Sequence, residues 1–182
     1  LNLHAPMSID AMKSGKHAAT TISGPVFGGE GNVTVNVIGP LTISGDVTAL
    51  NPNDCRSSSW CGNVYITNRT ISNGVGDDTT INGNVFADRD ARINVSGALT
   101  IGGNVTAYDD VFIHNYGLKS GNTTTITGNV YGYDYVDIRN YGSVNSKLNI
   151  SGNVATANGG LHVVSYGDLK LGQVDAGNWI DI

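Results

Sequence analysis

Charge is scarce in this chain: 182 residues include only 10 Lys and Arg and 15 Asp and Glu. The net charge of −5 comes without any cluster of basic residues. That excludes a nucleic-acid partner, because neutralising phosphates needs grouped Lys and Arg. No apolar run approaches the ~20 residues of a membrane helix, so membrane insertion is not expected. The N-terminus also lacks the basic start and apolar middle of a signal peptide. Helix formers such as Glu, Lys, Leu and Ala are thin, and cysteine is limited to Cys55 and Cys61.

What is abundant is Gly, with 25 residues, alongside Asn, Thr, Ser and Val. This composition suits many short strands joined by tight turns, since Gly and Asn tolerate the left-handed backbone that such turns use. The length corresponds to one domain, and 40% hydrophobic residues suffice for a core.

Residues 99–117 show how that composition is ordered. Leu99, Ile101, Val105, Ala107, Val111 and Ile113 alternate with small or polar residues, and Gly102-Gly103-Asn104 interrupts the run. Period-two alternation puts one face of each strand in a core. The same phrase returns along the chain, with Leu1, Val26, Val47, Val85, Val105, Val130, Val154 and Val174 in equivalent places. The steps are 25, 21, 38, 20, 25, 24 and 20 residues, so one is anomalous.

Stacking the repeats aligns further apolar columns. One runs Ile22, Ile43, Ile81, Ile101, Ile126, Ile150, Leu171; another runs Ile9, Val35, Ile66, Ile93, Ile113, Ile138, Val163, Ile182. Columns of this kind predict a parallel β-helix, an all-β solenoid with three short strands per turn and about seven turns. Parallel crossovers are right-handed as a rule, so a right-handed coil is expected. Both ends fall inside a turn without a polar cap, which predicts that residues 1–182 are one β-helix segment of a larger protein. Asx residues four places beyond the Val column, Asn51, Asp109, Asp134, Asn158 and Asn178, are expected to bond the bends. The triplets Asn115-Tyr116-Gly117, Asn140-Tyr141-Gly142 and Ser165-Tyr166-Gly167 predict a stack of Tyr rings beside left-handed glycines.

The anomalous step is an insertion. Val47 to Val64 spans 17 residues where Val105 to Val111 spans six, so a loop over 52–61 leaves the rod. Insertions in repeat proteins mark functional faces. Asn53, Asp54, Arg56 and Trp60 are the candidate contact residues, with Trp60 as anchor. Cys55 and Cys61 lie in the same loop; a disulfide there would stabilise it by roughly 2 kcal/mol, with two free thiols or half a metal site as alternatives. Smaller protrusions fall at 119–122 and 144–146. Asn122 lies on the first, and of the Asn-x-Ser/Thr sequons it is the expected accessible glycosylation site.

A second constellation lies on the third strand of the turn. His114 and His162 project outward two turns apart, with Asp137 and Arg139 between them and Asp110, Tyr133, Asp134 and Tyr135 alongside. An acid, a base and aromatic rings could serve a polysaccharide lyase or epimerase. The plainer reading is a solvated face of weakly paired charges, on which His114→Asp would cost within about 0.5 kcal/mol. The acidic pairs Asp77-Asp78, Asp88 with Asp90, and Asp109-Asp110 lack the nonapeptide repeat of calcium β-rolls, so no metal and no cofactor is expected.

The phrases Ala98-Leu99-Thr100-Ile101-Gly102-Gly103-Asn104-Val105 and Gly167-Asp168-Leu169-Lys170-Leu171-Gly172-Gln173-Val174 resemble repeats of large exported bacterial adhesins. The resemblance is to filamentous-haemagglutinin-like exoproteins of two-partner secretion. It implies a secreted or outer-surface location, an outer-membrane transporter as partner of the parent protein, and binding of host-cell glycan or protein by loops and outward faces. It implies no catalytic motif, so a non-enzymatic segment is expected, with a polysaccharide-acting enzyme or a pure spacer as the alternatives.

Overall fold

The structure, a computed structural model, describes residues 7–11, 18–51, 62–69, 76–117 and 121–182. The described residues contain strands of two to six residues and no helix. Each turn contributes one strand to each of three parallel sheets, as in Leu99–Ile101, Val105–Ala107 and Asp110–Asn115. The long sheet has eight strands, from Met7–Ala11 to Ile180–Asp181. The first short sheet runs from Thr20–Ile22 to Asp168–Lys170 and the second from Val26–Gly28 to Val174–Asp175, with seven strands each. Every strand pairs only with its equivalents one turn away, which makes the chain a parallel β-helix. Seven steps of about 4.8 Å give a rod of about 34 Å.

The core columns stand as the repeats predict, except that Ile182 is exposed rather than part of the core. Val26, Val47, Val85, Val105, Val130, Val154 and Val174 pair in succession. In the long sheet Ile9, Val35, Ile66, Ile93, Ile113, Ile138 and Val163 do the same. Those from Val35 to Ile138 are fully sealed, and together with the Val and Ile columns they form one continuous core. β-branched side chains suit this arrangement, because their restricted χ1 costs little on a pleated surface packed by identical neighbours. Leu1 lies outside the described residues.

The corners obey a different chemistry from the one the composition suggests. Left-handed glycines among the described residues are Gly31, Gly39 and Gly121. The recurring corner glycines instead have ordinary backbone angles and no room for a side chain. A Cβ on Gly83 would lie 2.6 Å from the Gly45 carbonyl carbon; on Gly103, 2.8 Å from Gly83; on Gly128, 2.6 Å from Gly103. Glycine stacks on glycine because the turns touch backbone to backbone. Gly117, Gly142 and Gly167 follow the same rule, each pressed against a side chain or carbonyl of a neighbouring segment rather than left-handed.

One residue after the stacked glycines runs an Asx ladder. The Asn84 N–H donates to Asp46 Oδ1 (2.7 Å), Asn104 to Asn84 (2.9 Å), Asn129 to Asn104 (2.7 Å) and Asn153 to Asn129 (2.8 Å). The principal ladder thus precedes the Val column by one residue instead of following it by four. At the latter place Asp109 pairs with Arg89 at 3.3 Å. A buried Asn staple closes another corner, where Asn115 Nδ2 donates to Gly97 O (2.8 Å) and Thr124 Oγ1 (3.0 Å) and Asn68 repeats the pattern on Gly39 and Thr79. These bonds satisfy backbone groups that the turn leaves unpaired, at a net gain of about 1 kcal/mol each.

Candidate functional site

The parallel register places the chemistry-bearing residues in two outward columns of the long sheet. Phe112, Asp137, His162 and Asp181 succeed one another in the first, and Asn94, His114, Arg139 and Val164 in the second. Neighbouring turns are close enough for their side chains to meet across the columns.

Asp137 is the hub. It is the only member of the group whose side chain is almost sealed, at 4% exposure. Arg139 Nε donates to both carboxylate oxygens (2.7 and 2.9 Å), His114 Nε2 to Oδ2 (3.1 Å) and His162 Nδ1 to Oδ1 (3.1 Å). Each imidazole must present an N–H to the carboxylate, which sets the tautomers. His114 in its neutral form therefore keeps Nδ1 as an acceptor, and the Tyr116 hydroxyl donates to it at 3.0 Å. Arg139 Nη1 also donates to the Tyr141 hydroxyl at 2.8 Å.

Burial alone would push the Asp137 carboxyl up, but the hydrogen bonds and charges of His114 and Arg139 hold it down to about 2. The guanidinium of Arg139 is correspondingly held in its charged form by the bonds to Asp137 and Tyr141. Three N–H donors, one of them shared between both oxygens, engage the carboxylate, whose side chain is almost sealed from solvent. Its role is to hold the turns of His114, Arg139 and His162 together.

The surrounding rings extend this order. Tyr116 and Tyr141 stack with centroids 5.5 Å apart and Tyr166 meets Tyr141 edge-on at 5.7 Å, as the repeated triplets predict. Arg69 caps the stack 4.8 Å above Tyr116, and Arg92 lies 4.2 Å over Phe112. Tyr135 contacts both Phe112 and Trp179, and its phenol is pushed up by burial and then by the Asp137 charge.

The charged face is thus not the solvated surface that the plainer sequence reading expects. His114 points outward, yet its ring is only 17% exposed and partnered at both nitrogens. An Asp there would lose both partners and face Asp137, so His114→Asp is expected to cost more than about 0.5 kcal/mol.

Asp110, in register with Tyr135 and two residues before Phe112, has the opposite electrostatics. Burial raises its carboxyl to about 6, and the charges of Asp90, Asp109 and Asp134 add to the shift. Arg92 and Arg89 are already engaged by Asp90 (3.0 Å) and Asp109 (3.3 Å). Among the described residues no three carboxylate, imidazole or thiol groups converge as a metal site.

Two sequence-predicted residues need correction. Tyr133 does not join the His114–Asp137–His162 group. It sits past the second short strand of its turn, where it lines a groove of about 360 Å³ with Thr106, Ala107, Tyr108 and Tyr131. Asn122 is not accessible: it is 5% exposed, and its amide turns inward toward the Ser96 carbonyl at 3.4 Å. Asn122 lies against Gly117 and Ser96, a contact that a protrusion inferred from length alone does not reveal. Asn53, Asp54, Cys55, Arg56, Trp60 and Cys61 lie outside the described residues.

Tyr108 and Tyr131 are the groove residues that the sequence reading passes over. The signal was present, because Tyr108-Asp109 and Tyr133-Asp134 recur 25 residues apart. No family model matches the chain, and no curated protein or solved structure matches it either.

Proposed function

We propose that this chain is a non-enzymatic segment of a secreted bacterial surface adhesin, a β-helical stalk that presents its outward faces and the 52–61 loop to host-cell glycan or protein. An outer-membrane transporter would export the parent protein. The observation that carries the reading is the state of Asp137: among the described residues, this carboxylate is almost sealed and engaged by three donors from its own neighbours. Tyr108 and Tyr133, on another flank, stand open to solvent.

Beads coated with the 182-residue chain are expected to attach to host epithelial cells, and deletion of residues 53–60 is expected to reduce attachment while preserving the β-rich circular dichroism. Failure of the intact chain to attach would leave only the spacer role. The enzymatic alternative has its own readout. Release of unsaturated products from uronate polymers, abolished by Asp137→Ala, would replace this reading with a lyase.

A further inference from the structure

The groove beside Tyr133 carries a more specific reading. Thr106, Tyr131 and Ala155 occupy successive positions of one outward column, so the Tyr131 ring stands between two small neighbours. Tyr108 and Tyr133 follow the paired residues Ala107 and Gly132 at equivalent points of adjacent turns. Their backbones are fixed by the corner ladder, with the Tyr108 N–H on Ala87 O (3.1 Å) and the Tyr133 N–H on Ala107 O (3.3 Å). Tyr108 is 65% exposed and Tyr133 43%.

On the long sheet Tyr116, Tyr141 and Tyr166 contact one another. Among the described residues, Tyr108, Tyr131 and Tyr133 make no ring–ring contact. Exposing Tyr108 and Tyr133 on one flank beside the half-buried Tyr131 forgoes hydrophobic stabilisation unless something covers them. The groove volume of about 360 Å³ falls within the range of small-molecule sites.

Charge selects the occupant. Asp109 follows Tyr108 and Asp134 follows Tyr133, and the two are stacked by the Asp134 N–H on Asp109 O at 3.0 Å. Arg89, the cation beside them, is paired with Asp109. An anionic ligand would meet this acidic corner unfavourably.

We infer that the groove of Tyr108, Tyr131 and Tyr133 binds an uncharged hexopyranose of a host-cell glycan, with the C–H face of the sugar on the rings and its hydroxyls toward the phenols and Thr106. This deepens the adhesin reading and rests on it for the source of the sugar. Amphipathic rings with an apolar face and a polar tip match a pyranose, which has the same division. Uronic and sialic acids are disfavoured by the same corner.

Saturation-transfer NMR on the full chain tests this with methyl β-galactopyranoside and methyl β-glucopyranoside as neutral probes and N-acetylneuraminic acid and glucuronate as anionic ones. At least one neutral glycoside is expected to receive saturation on its ring-face protons, at least fivefold more strongly than either anion. Tyr108→Ala/Tyr133→Ala is expected to reduce the signal at least fivefold with an unchanged melt, and Tyr108→Phe/Tyr133→Phe to retain most of it. Absence of transfer to both neutral probes, wild-type transfer in the double Ala variant, or equal binding of the anions would overturn the assignment. Bead attachment separates this result from the adhesin reading. Sugar binding without cell attachment removes the host source and the adhesin role, whereas attachment that survives in the double Ala variant removes the groove as the contact.

Discussion

At the residue scale, two carboxyls on one face respond to acid in opposite directions. Asp137 has a folded pKa of about 2, below its ordinary value of 3.8, so its contribution to stability is complete above about pH 4 and is lost as pH falls toward 2. Asp110 is raised to about 6, so its ionised form weakens the fold at neutral pH and protonation relieves that between pH 6 and 4. Asp110→Asn is therefore expected to raise the melting temperature at pH 7 and to have little effect at pH 4. Asp137→Asn is expected to lower the melting temperature at pH 7, because it leaves Arg139 and two imidazoles without their anion, at a cost of a few kcal/mol. Melts of both variants across pH 3 to 8 check the signs. A gain for Asp137→Asn at pH 7 would mean that its network does not hold the turns together. The residue types and outward phase of His114, Asp137, Arg139 and His162 are legible in the sequence, since alternation assigns them to one face. Their closure on Asp137 is not, because it depends on side-chain reach between turns rather than on spacing along the chain.

Elements here are corners as much as strands. The strands and their register can be read directly, because an apolar or small residue recurs at most inward places and a slip of one residue would turn the whole column to solvent. Corners are harder, since alternation stops there and nothing local says which way a residue faces. That is why Tyr133 reads as part of the charged face and Asn122 as exposed, while both lie elsewhere. It is also why the corner glycines read as left-handed, when contact between turns is what excludes a side chain. Gly103→Ala would press a methyl against the Gly83 carbonyl group and is expected to cost about 1–3 kcal/mol. Asn104→Ala removes the acceptor of the Asn129 N–H and is expected to cost about 1 kcal/mol. Urea titrations measure both losses. A Gly103→Ala variant as stable as wild type would mean that the turns do not touch backbone to backbone.

For the whole molecule, a core of stacked columns and corners of stacked Asx and Gly make each turn depend on its neighbours only. The rod thereby holds outward side chains at fixed spacing without help from the rest of a fold. Both the sealed Asp137 network and the open Tyr108–Tyr131–Tyr133 groove follow from one register, so that register is the claim on which the functional proposals stand. Ile113 is fully buried between Ile93 and Ile138, whereas Thr100 is exposed between the sealed Leu99 and Ile101 and pairs with Thr80 and Thr125. Ile113→Asp buries a charge without a partner and is expected to cost several kcal/mol or to unfold the chain. Thr100→Asp faces water and is expected to cost within about 1 kcal/mol. Thermal melts of the two variants beside wild type give the most direct test: a large loss for Ile113→Asp with a small one for Thr100→Asp is the expected result, and equal losses would contradict the stacked register.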